Sequence, residues 1–338
     1  MTDHPITVAI DAMGGDNSPE VTVAGAILST RQNKFNVLLV GDKASLEKEL
    51  SKHDTENLSI KIIPSEGKIE DSEAPALGLR QKPKASIVVA TSLVKKGKAD
   101  AVVSMGSTGA TMAAAVVLLG TIDGIDRPAI GGPIVGSAPN QVILDLGSNL
   151  DCKPQQLVGF GVLGSVFSQD LLKIPNPKIG LLSVGSEEGK GNSQIKEATE
   201  LFKKSGLNFI GNIEGNDLVT GKADIVVCDG FVGNVVLKLV EGLSIGLANQ
   251  LQTELTNSSM PPEVISGLMQ KLISDNNVVD ARGGGPIFGV NGVSIIGHGS
   301  ASADTVHRAI EMAAMCVSSK LIEGMNKQVP DVMASITN

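Results

Sequence analysis

The chain reads as an α/β protein, a three-layer α/β/α sandwich around a mostly parallel sheet, and three observations predict it. Short apolar runs such as Ile6-Thr7-Val8-Ala9-Ile10, Val37-Leu38-Leu39-Val40 and Ala101-Val102-Val103 recur without strict polar alternation, which suits strands covered on both faces. Segments of helical period fall between them, the βαβ rhythm of a parallel sheet. Run after run ends in a corner of glycine, hydroxyl, amide or acidic residues, and open α/β sheets place ligands at the carboxyl ends of their strands.

The first run ends in Asp11-Ala12-Met13-Gly14-Gly15-Asp16-Asn17-Ser18, two carboxylates around a diglycine, and Pro19 then starts a helix through Val21 to Ile27. Those acids suit a metal, a basic partner or the bracing of the turn. A strand at 36–40, a helix near 43–52 and a strand at 58–63 follow. The polar stretch 64–83 breaks the rhythm and is expected to be a long irregular flap. Ser86 is placed to cap a helix over 87–96.

Next comes the stretch around which the chain is organised, Ser104-Met105-Gly106-Ser107-Thr108-Gly109-Ala110-Thr111, between the strand ending at Val103 and an apolar helix over 112–119. First-turn amides of a helix lack intrahelical partners, and the helix dipole adds positive charge there. Gly106 and Gly109 would let backbone approach a ligand, so the turn suits a phosphate or a developing oxyanion. A plain Ser/Thr N-cap explains the same hydroxyls.

A loop carrying Arg127 leads to strands at 129–135 and 141–146, a hairpin, whose second member ends in Asp145-Leu146-Gly147-Ser148-Asn149 before a helix over 155–172. A strand at 179–184 leads into Gly185-Ser186-Glu187-Glu188-Gly189-Lys190-Gly191; the P-loop order fails because Gly191 follows Lys190, but Lys190 remains a mobile cation able to reach a phosphate or carboxylate. A helix at 193–205 and strands at 208–213 and 223–228 follow, the last running into Asp229-Gly230-Phe231-Val232-Gly233-Asn234, read as a glycine turn before a helix over 235–255. Leu243, Leu247, Leu251 and Leu255 make one stripe on that helix, suited to core or to a partner subunit. A second helix after Pro261-Pro262 carries Val264, Ile265, Leu268, Met269, Leu272 and Ile273 on one face, for docking in protein, in a dimer or on a membrane surface. Gly283-Gly284-Gly285-Pro286 reads as a flexible loop, Asn291-Gly292 joins a hairpin, and Gly297-His298-Gly299-Ser300 ends it before a helix over 303–321. His298, between glycines at a strand end, is the histidine placed for catalysis, with a structural role as the alternative.

Composition narrows the function classes. The 338 residues, 42% hydrophobic, can bury a large core, expected as one α/β/α domain over 1–325 with two lobes about a cleft. A helical hairpin and mobile Gly-rich loop are expected within 235–285, and a C-terminal tail over 326–338. No run of about 18 apolar residues offers a bilayer span, and the start of the chain lacks the features of a signal peptide, so a cytoplasmic location is expected. The net charge of −8 and the absence of Trp and Tyr argue against nucleic acid as a partner. Cys152, Cys228 and Cys316 are too scattered for a disulfide framework or metal cluster, and no metal or cofactor is expected. The strand-end corners, taken together, would line one crevice rich in N–H donors and hydroxyls, suited to inorganic phosphate or a phosphorylated ligand.

At this point the residues resemble a known family. Asp11-Ala12-Met13-Gly14-Gly15-Asp16, Gly106-Ser107-Thr108-Gly109-Ala110, Leu144-Asp145-Leu146-Gly147, Asp229-Gly230-Phe231-Val232-Gly233-Asn234 and Gly297-His298-Gly299-Ser300 look like the bacterial phosphate acyltransferases of phospholipid synthesis. The match runs in order over nearly the whole chain, with Ser107 standing where the family often has Asn and Ser148 where Ala is usual. The resemblance implies a fold similar to phosphotransacetylase and the isocitrate dehydrogenase group, and a homodimer. It also implies reversible transfer of a fatty acyl group from acyl carrier protein to orthophosphate, the acyl phosphate passing to a membrane glycerol-3-phosphate acyltransferase.

The expected mechanism is direct attack of phosphate on the thioester; Ser300 beside His298 keeps a covalent route open. His298, Lys190, Asn234 and Asp229 are the candidate catalytic residues. Asp11, Gly14, Gly15, Asp16, Gly106, Ser107, Thr108, Gly109, Asp145, Asn149, Gly233, Gly299 and Ser300 are candidates for binding substrate, and Lys271 and Arg282 for docking the acidic carrier. The competing functions are a short-chain acyl-CoA phosphotransacetylase and a non-catalytic adaptor of lipid synthesis. A metal- and NAD-dependent dehydrogenase would need three acidic ligands and an arginine-rich site, which the sequence does not offer.

Overall fold

The computed structural model describes residues 5–32, 35–256, 260–276 and 282–337. Contacts divide the chain into two compact units, Met1–Pro128 with Arg282–Val329, and Ala129–Ala281 with Pro330–Asn338.

The first unit opens with β1 (Thr7–Asp11), α1 (Glu20–Gln32), β2 (Asn36–Gly41), α2 (Lys43–Leu50) and β3 (Ile60–Pro64). The strands are short and β-branched, and β1 is buried almost throughout, as a strand with helices on both faces must be. Asp42 caps α2 by accepting from the Ser45 amide at 2.9 Å. The stretch expected to be irregular contains α3 (Pro75–Gln81), because Pro75 sits in its first turn and Leu79 has a buried place to fill. Then come α4 (Ser86–Lys95), β4 (Ala101–Ser104) and α5 (Thr108–Ala114). Ser86 is not a cap: Ala85 occupies that position without a side-chain bond, and Ser86 is the first, buried residue of the helix. The helix placed at 112–119 begins earlier, at Thr108, and its last turn, Ala115–Leu119, is a π-helix.

The second unit contains β5 (Ala129–Gly132), β6 (Val142–Leu144), α6 (Pro154–Asp170), β7 (Ile179–Leu182), α7 (Ser193–Lys204), β8 (Phe209–Ile213), a 3-10 turn over Gly215–Val219, and β9 (Ile225–Val227). The order is β5-β6-β9-β7-β8, with β5 and β6 antiparallel and the rest parallel. Packing is close: a Cβ at Gly161 would lie 2.6 Å from the Phe202 ring, which stacks on Phe209 at 4.7 Å between centroids. After β9 run α8 (Gly230–Thr256) and α9 (Pro262–Asn276), which pack on each other through Ala248, Leu255, Ile265 and Met269.

Two expectations change here. Gly230 to Asn234 is the first turn of α8 and not a turn before it, since Asp229 caps the helix through a 2.8 Å bond from the Val232 amide. Within this chain three members of the α8 stripe are surface, Leu243, Leu247 and Leu251 being 53%, 61% and 40% exposed, while Leu255 is partly buried against α9. By length and composition α8 is also apolar enough to cross a membrane, a candidate the sequence reading did not find. On α9, Ile265 and Met269 dock in protein while Val264 and Leu268 face outward; the side chains of Leu272 and Ile273 lie outside the described residues.

The chain returns to the first unit with β10 (Gly285–Phe288), β11 (Val293–Ile296) and α10 (Ala303–Ser318), and ends in α11 (Leu321–Thr337). There the strand order is β3-β2-β1-β4-β11-β10, parallel except for the β10–β11 hairpin. Gly283 and Gly284 do not form a loose loop. Both hold positive φ, and a Cβ on Gly283 would fall 2.7 Å from the Ala309 Cα, so only glycine lets this backbone lie against α10. The expected tail, residues 326–337, continues α11.

Candidate active site

In the first unit, three strand ends converge. Asp11 of β1 pairs in register with Ser104 of β4, and Ser104 with Ile296 of β11, so the corners following these residues are neighbours. The Asp16 amide donates to the Gly299 carbonyl at 2.8 Å and the Gly297 amide to the Ser104 carbonyl at 3.0 Å. Ser18 Oγ donates to the Gly14 carbonyl. A Cβ on Gly14 would lie 2.6 Å from Asp11 Oδ2 and 2.8 Å from the Gly106 amide; one on Gly15, whose φ is +106°, would lie 3.2 Å from Met105. Gly14, Gly15 and Gly106 thus let three backbones pack on one another. Gly109 has a similar reason: a Cβ there would meet the Pro75 ring at 2.6 Å, where α3 rests on α5.

Asp11 is buried beneath these corners. Its Oδ2 accepts from Ser104 Oγ at 2.8 Å, and Ser104 Oγ accepts from the Gly106 amide at 3.0 Å. Burial pushes its carboxyl above the ordinary range, opposed by the Ser86 and Ser104 hydroxyls and the Met13 and Gly14 amides. Oδ1 and Ser86 Oγ themselves stand outside hydrogen-bond geometry. Asp11, expected to bind substrate, is thus buried under the corners with Ser104 between it and the Gly106 amide.

Above it, Ser107 caps α5, accepting from the Ala110 amide at 3.4 Å. Among the described residues nothing in the chain takes the amides of Ser107, Thr108 or Gly109. The expected Ser/Thr N-cap is therefore present, and it leaves those three amides unoccupied by the chain. Asp16, Thr108, His298 and Ser300 are exposed around it.

The second unit has a corresponding cluster. Asp145, buried at the end of β6, is surrounded by donors: the Ile130 amide at 3.1 Å and Ser148 Oγ at 2.9 Å on Oδ1, and the Asn149 amide at 2.7 Å and Nδ2 at 3.0 Å on Oδ2. Burial raises its pKa against the pull of these bonds. It was expected to bind substrate, but its oxygens are already engaged by the protein. The Ile130 amide also donates to Ser148 Oγ at 3.0 Å. Gly233 packs onto this knot, its Cβ position 2.9 Å from the Asp145 carbonyl carbon and 3.1 Å from Cys228 Sγ. Asp229, proposed for catalysis, is the α8 cap. Asn234 is exposed and lies over Gly147, whose Cβ position falls 3.4 Å from Asn234 Oδ1.

The backbone of the loop carrying Lys190 is bonded to its surroundings. The Ser186 amide donates to Glu214 at 3.0 Å, Asn212 Nδ2 reaches the Glu187 and Lys190 carbonyls at 3.4 Å each, and Lys203 pairs with Glu188. The Lys190 side chain is exposed, as is Lys271; Arg282 is half-buried, which lowers its pKa. Burial pushes the thiols of Cys152 and Cys316 up to about 12 and that of Cys228 well above its ordinary value. No group of three or more His, Cys, Asp or Glu gathers as a metal site among the described residues.

Ser104 opens the organising stretch in the sequence but is not among the candidate site residues; only the pairing of β1 with β4 places it opposite Asp11.

A family model described as "Fatty acid synthesis protein" matches residues 6–323. A phosphate acyltransferase from Pelotomaculum thermopropionicum is 44% identical over 332 residues, covering 96% of this chain and 95% of the relative. One from Clostridium acetobutylicum is 39% identical over 330 residues, covering 96% and 99%. In fold the chain is similar to a phosphotransacetylase from Streptococcus pyogenes, with TM-score 0.60 and 17% identity over 94% of each chain. It is likewise similar to a putative 4-hydroxythreonine-4-phosphate dehydrogenase from Salmonella typhimurium, with TM-score 0.56 and 12% identity over 93% and 99%. With a family model matching residues 6–323 and relatives about 40% identical over nearly its full length, the chain belongs to the fatty acid synthesis protein family and is a phosphate acyltransferase of lipid biosynthesis.

Proposed function

We propose that orthophosphate is seated on the amides of Ser107, Thr108 and Gly109, and that it accepts a fatty acyl group directly from the thioester of acyl carrier protein. The observation that carries this is a row of three amides without protein partners at a helix N-terminus, where backbone donors and the helix dipole favour an oxyanion. A phosphate oxygen forms the new C–O bond at the thioester carbonyl, and collapse of the tetrahedral intermediate breaks the C–S bond. The acyl phosphate and the carrier thiol are then released. His298, exposed on the corner after β11, supplies a donor to the developing charge or a proton to the leaving thiolate. Asn234 and Lys190 are proposed as further polar contacts to substrate, and Gly299 and Ser300 as part of the wall beside Asp16.

The thiols, all raised by desolvation, Cys152 and Cys316 to about 12, support a route without a cysteine acyl-enzyme. An acylated protein trapped by mass spectrometry in a single turnover would overturn it. The donor is tested by measuring acyl phosphate from palmitoyl carrier protein and from acetyl-CoA with inorganic phosphate; faster turnover with acetyl-CoA favours the short-chain phosphotransacetylase, and no product at all the adaptor. The seat is tested by Thr108→Pro. Proline suits the first helical position, and Ser107, at φ −51° and ψ 122°, already has the extended conformation a following proline requires. The substitution deletes one amide, and the expected result is a phosphate KM raised about tenfold, with Thr108→Ala near the parent.

Lys271 and Arg282 are proposed to dock the acidic carrier, which charge reversal at each tests through the KM for the carrier. The exposed apolar face of α8 is proposed to join two copies of the chain. The site of action is proposed to be the cytoplasm, with the product handed to a membrane glycerol-3-phosphate acyltransferase at its inner face.

A further inference from the structure

Resting on that phosphate seat, we infer that Asp11 and Ser104 form a positioning relay that decides which amides of the 106–111 turn face phosphate. The relay has a direction. A serine hydroxyl has one proton to give, and Ser104 gives it to Asp11 Oδ2 at 2.8 Å; its lone pair then takes the Gly106 amide at 3.0 Å. The Gly106 amide is the first N–H of the turn, and the relay turns it into the protein. The three that follow, on Ser107, Thr108 and Gly109, are left for the ligand.

Glycine at 106 has no side chain to restrain the Met105–Gly106 peptide, so its orientation depends on what its amide is bonded to. Asp11 strengthens that bond, because a hydroxyl donating to a carboxylate is the better acceptor for a further donor. Packing holds the arrangement from above: Gly14 leaves no room between Asp11 Oδ2 and the Gly106 amide for a side chain, its Cβ position lying 2.6 and 2.8 Å from them.

Asp11 is buried and cannot touch substrate. It also differs from Asp145, whose four donors fasten a loop to itself. The Ser86 hydroxyl and the Met13 and Gly14 amides also lie near the Asp11 carboxyl, but Oδ1 has no partner in hydrogen-bond geometry, and the side-chain bond that does meet it, from Ser104 to Oδ2, leads on to the Gly106 amide. Register brings the two residues together, since Asp11 and Ser104 are partners across the β1–β4 pair.

The experiment measures KM for inorganic phosphate and for acyl carrier protein separately in the full chain and its Ser104→Ala, Asp11→Asn and Thr108→Pro variants. A merely structural loss lowers the active fraction and kcat and leaves both KM values in place. The relay is expected to raise the phosphate KM about tenfold in Ser104→Ala, with the carrier KM within about twofold of the parent. Asp11→Asn keeps an acceptor for Ser104 without the charge, and is expected to raise the phosphate KM about threefold. It also serves as the measurement should Ser104→Ala fold poorly. A phosphate KM within about twofold of the parent in both variants, with Thr108→Pro raising it, overturns the relay and leaves the seat standing. An unchanged phosphate KM in Thr108→Pro overturns the seat and the relay together.

Discussion

Asn149 donates twice to a single oxygen of Asp145, through its amide at 2.7 Å and its side chain at 3.0 Å. Asp145 is thereby the centre of a loop that folds back on its own acid, with Ile130 and Ser148 on the other oxygen. Asp145→Ala would orphan these donors in a buried place. Hydrogen bonds to a charged group contribute about 1.5–3 kcal/mol each, so a loss of about 3 kcal/mol or more is expected, read as a lower urea midpoint.

The same residue has a pH signature. Its native pKa is raised above the ordinary carboxylate value, first by burial, so in the window between the unfolded and native pKa values the native state holds more protons. The sign follows: the cost of burying the charge is present above that window and is relieved as pH falls through it. The parent's stability measured relative to Asp145→Asn should therefore rise as pH is lowered through the native pKa toward the ordinary carboxylate value of 3.8. Asp217 runs the other way. Its pKa is lowered by the Glu214 amide and by Lys222, so its contribution is present above the unfolded pKa and is lost as pH falls through the native one.

Gly233→Ala tests whether the glycine of the Asp229 to Asn234 corner serves packing. The new methyl would collide with the Asp145 carbonyl group and crowd Cys228. Overpacking against backbone costs about 1–3 kcal/mol or more, and a loss of that size in thermal or urea unfolding is expected. Gly242→Ala on the same helix, with nothing within 4 Å of its Cβ position, is the control and should unfold like the parent.

The face of α8 makes a prediction about assembly. Leu243→Glu with Leu247→Glu places charge on two exposed leucines one turn apart. Sedimentation is expected to show the parent as a dimer and the double variant as a monomer. A monomeric parent would sink the proposed contact.

Thiol chemistry supplies a further check. With burial raising all three thiols, iodoacetamide near pH 7.5 is expected to leave the folded protein unlabelled and to label it in denaturant.

Several of these relationships were legible only in outline. The corners at Asp11, Ser104, Asp145 and Asp229 stand out in the sequence as polar and glycine residues closing apolar runs, and the structure puts each at a strand's carboxyl end. Their roles were not legible. Asp11, Asp145 and Gly233 carry the residue types of a binding site and are buried, while Asp229 caps a helix. The start of α8 was misplaced because two glycines in Gly230 to Asn234 mimic a turn. Glycine is tolerated in a first helical turn when its neighbours come too close for a side chain, and such closeness has no sequence signal.

What the chain's own pattern determined was the alternation of buried strands with helices and the end of each strand at which polar residues collect. Local periodicity and turn chemistry suffice for that, because burial on both faces demands continuous apolar runs. Only the tertiary structure decided which of those polar residues are buried among backbone and side-chain donors, as Asp11 and Asp145 are, and which stand exposed, as Asp16, Thr108 and Asn234 do. Asp11 and Ser104 lie 93 positions apart, and nothing but the pairing of β1 with β4 brings a carboxylate within 2.8 Å of a hydroxyl and gives a serine its task.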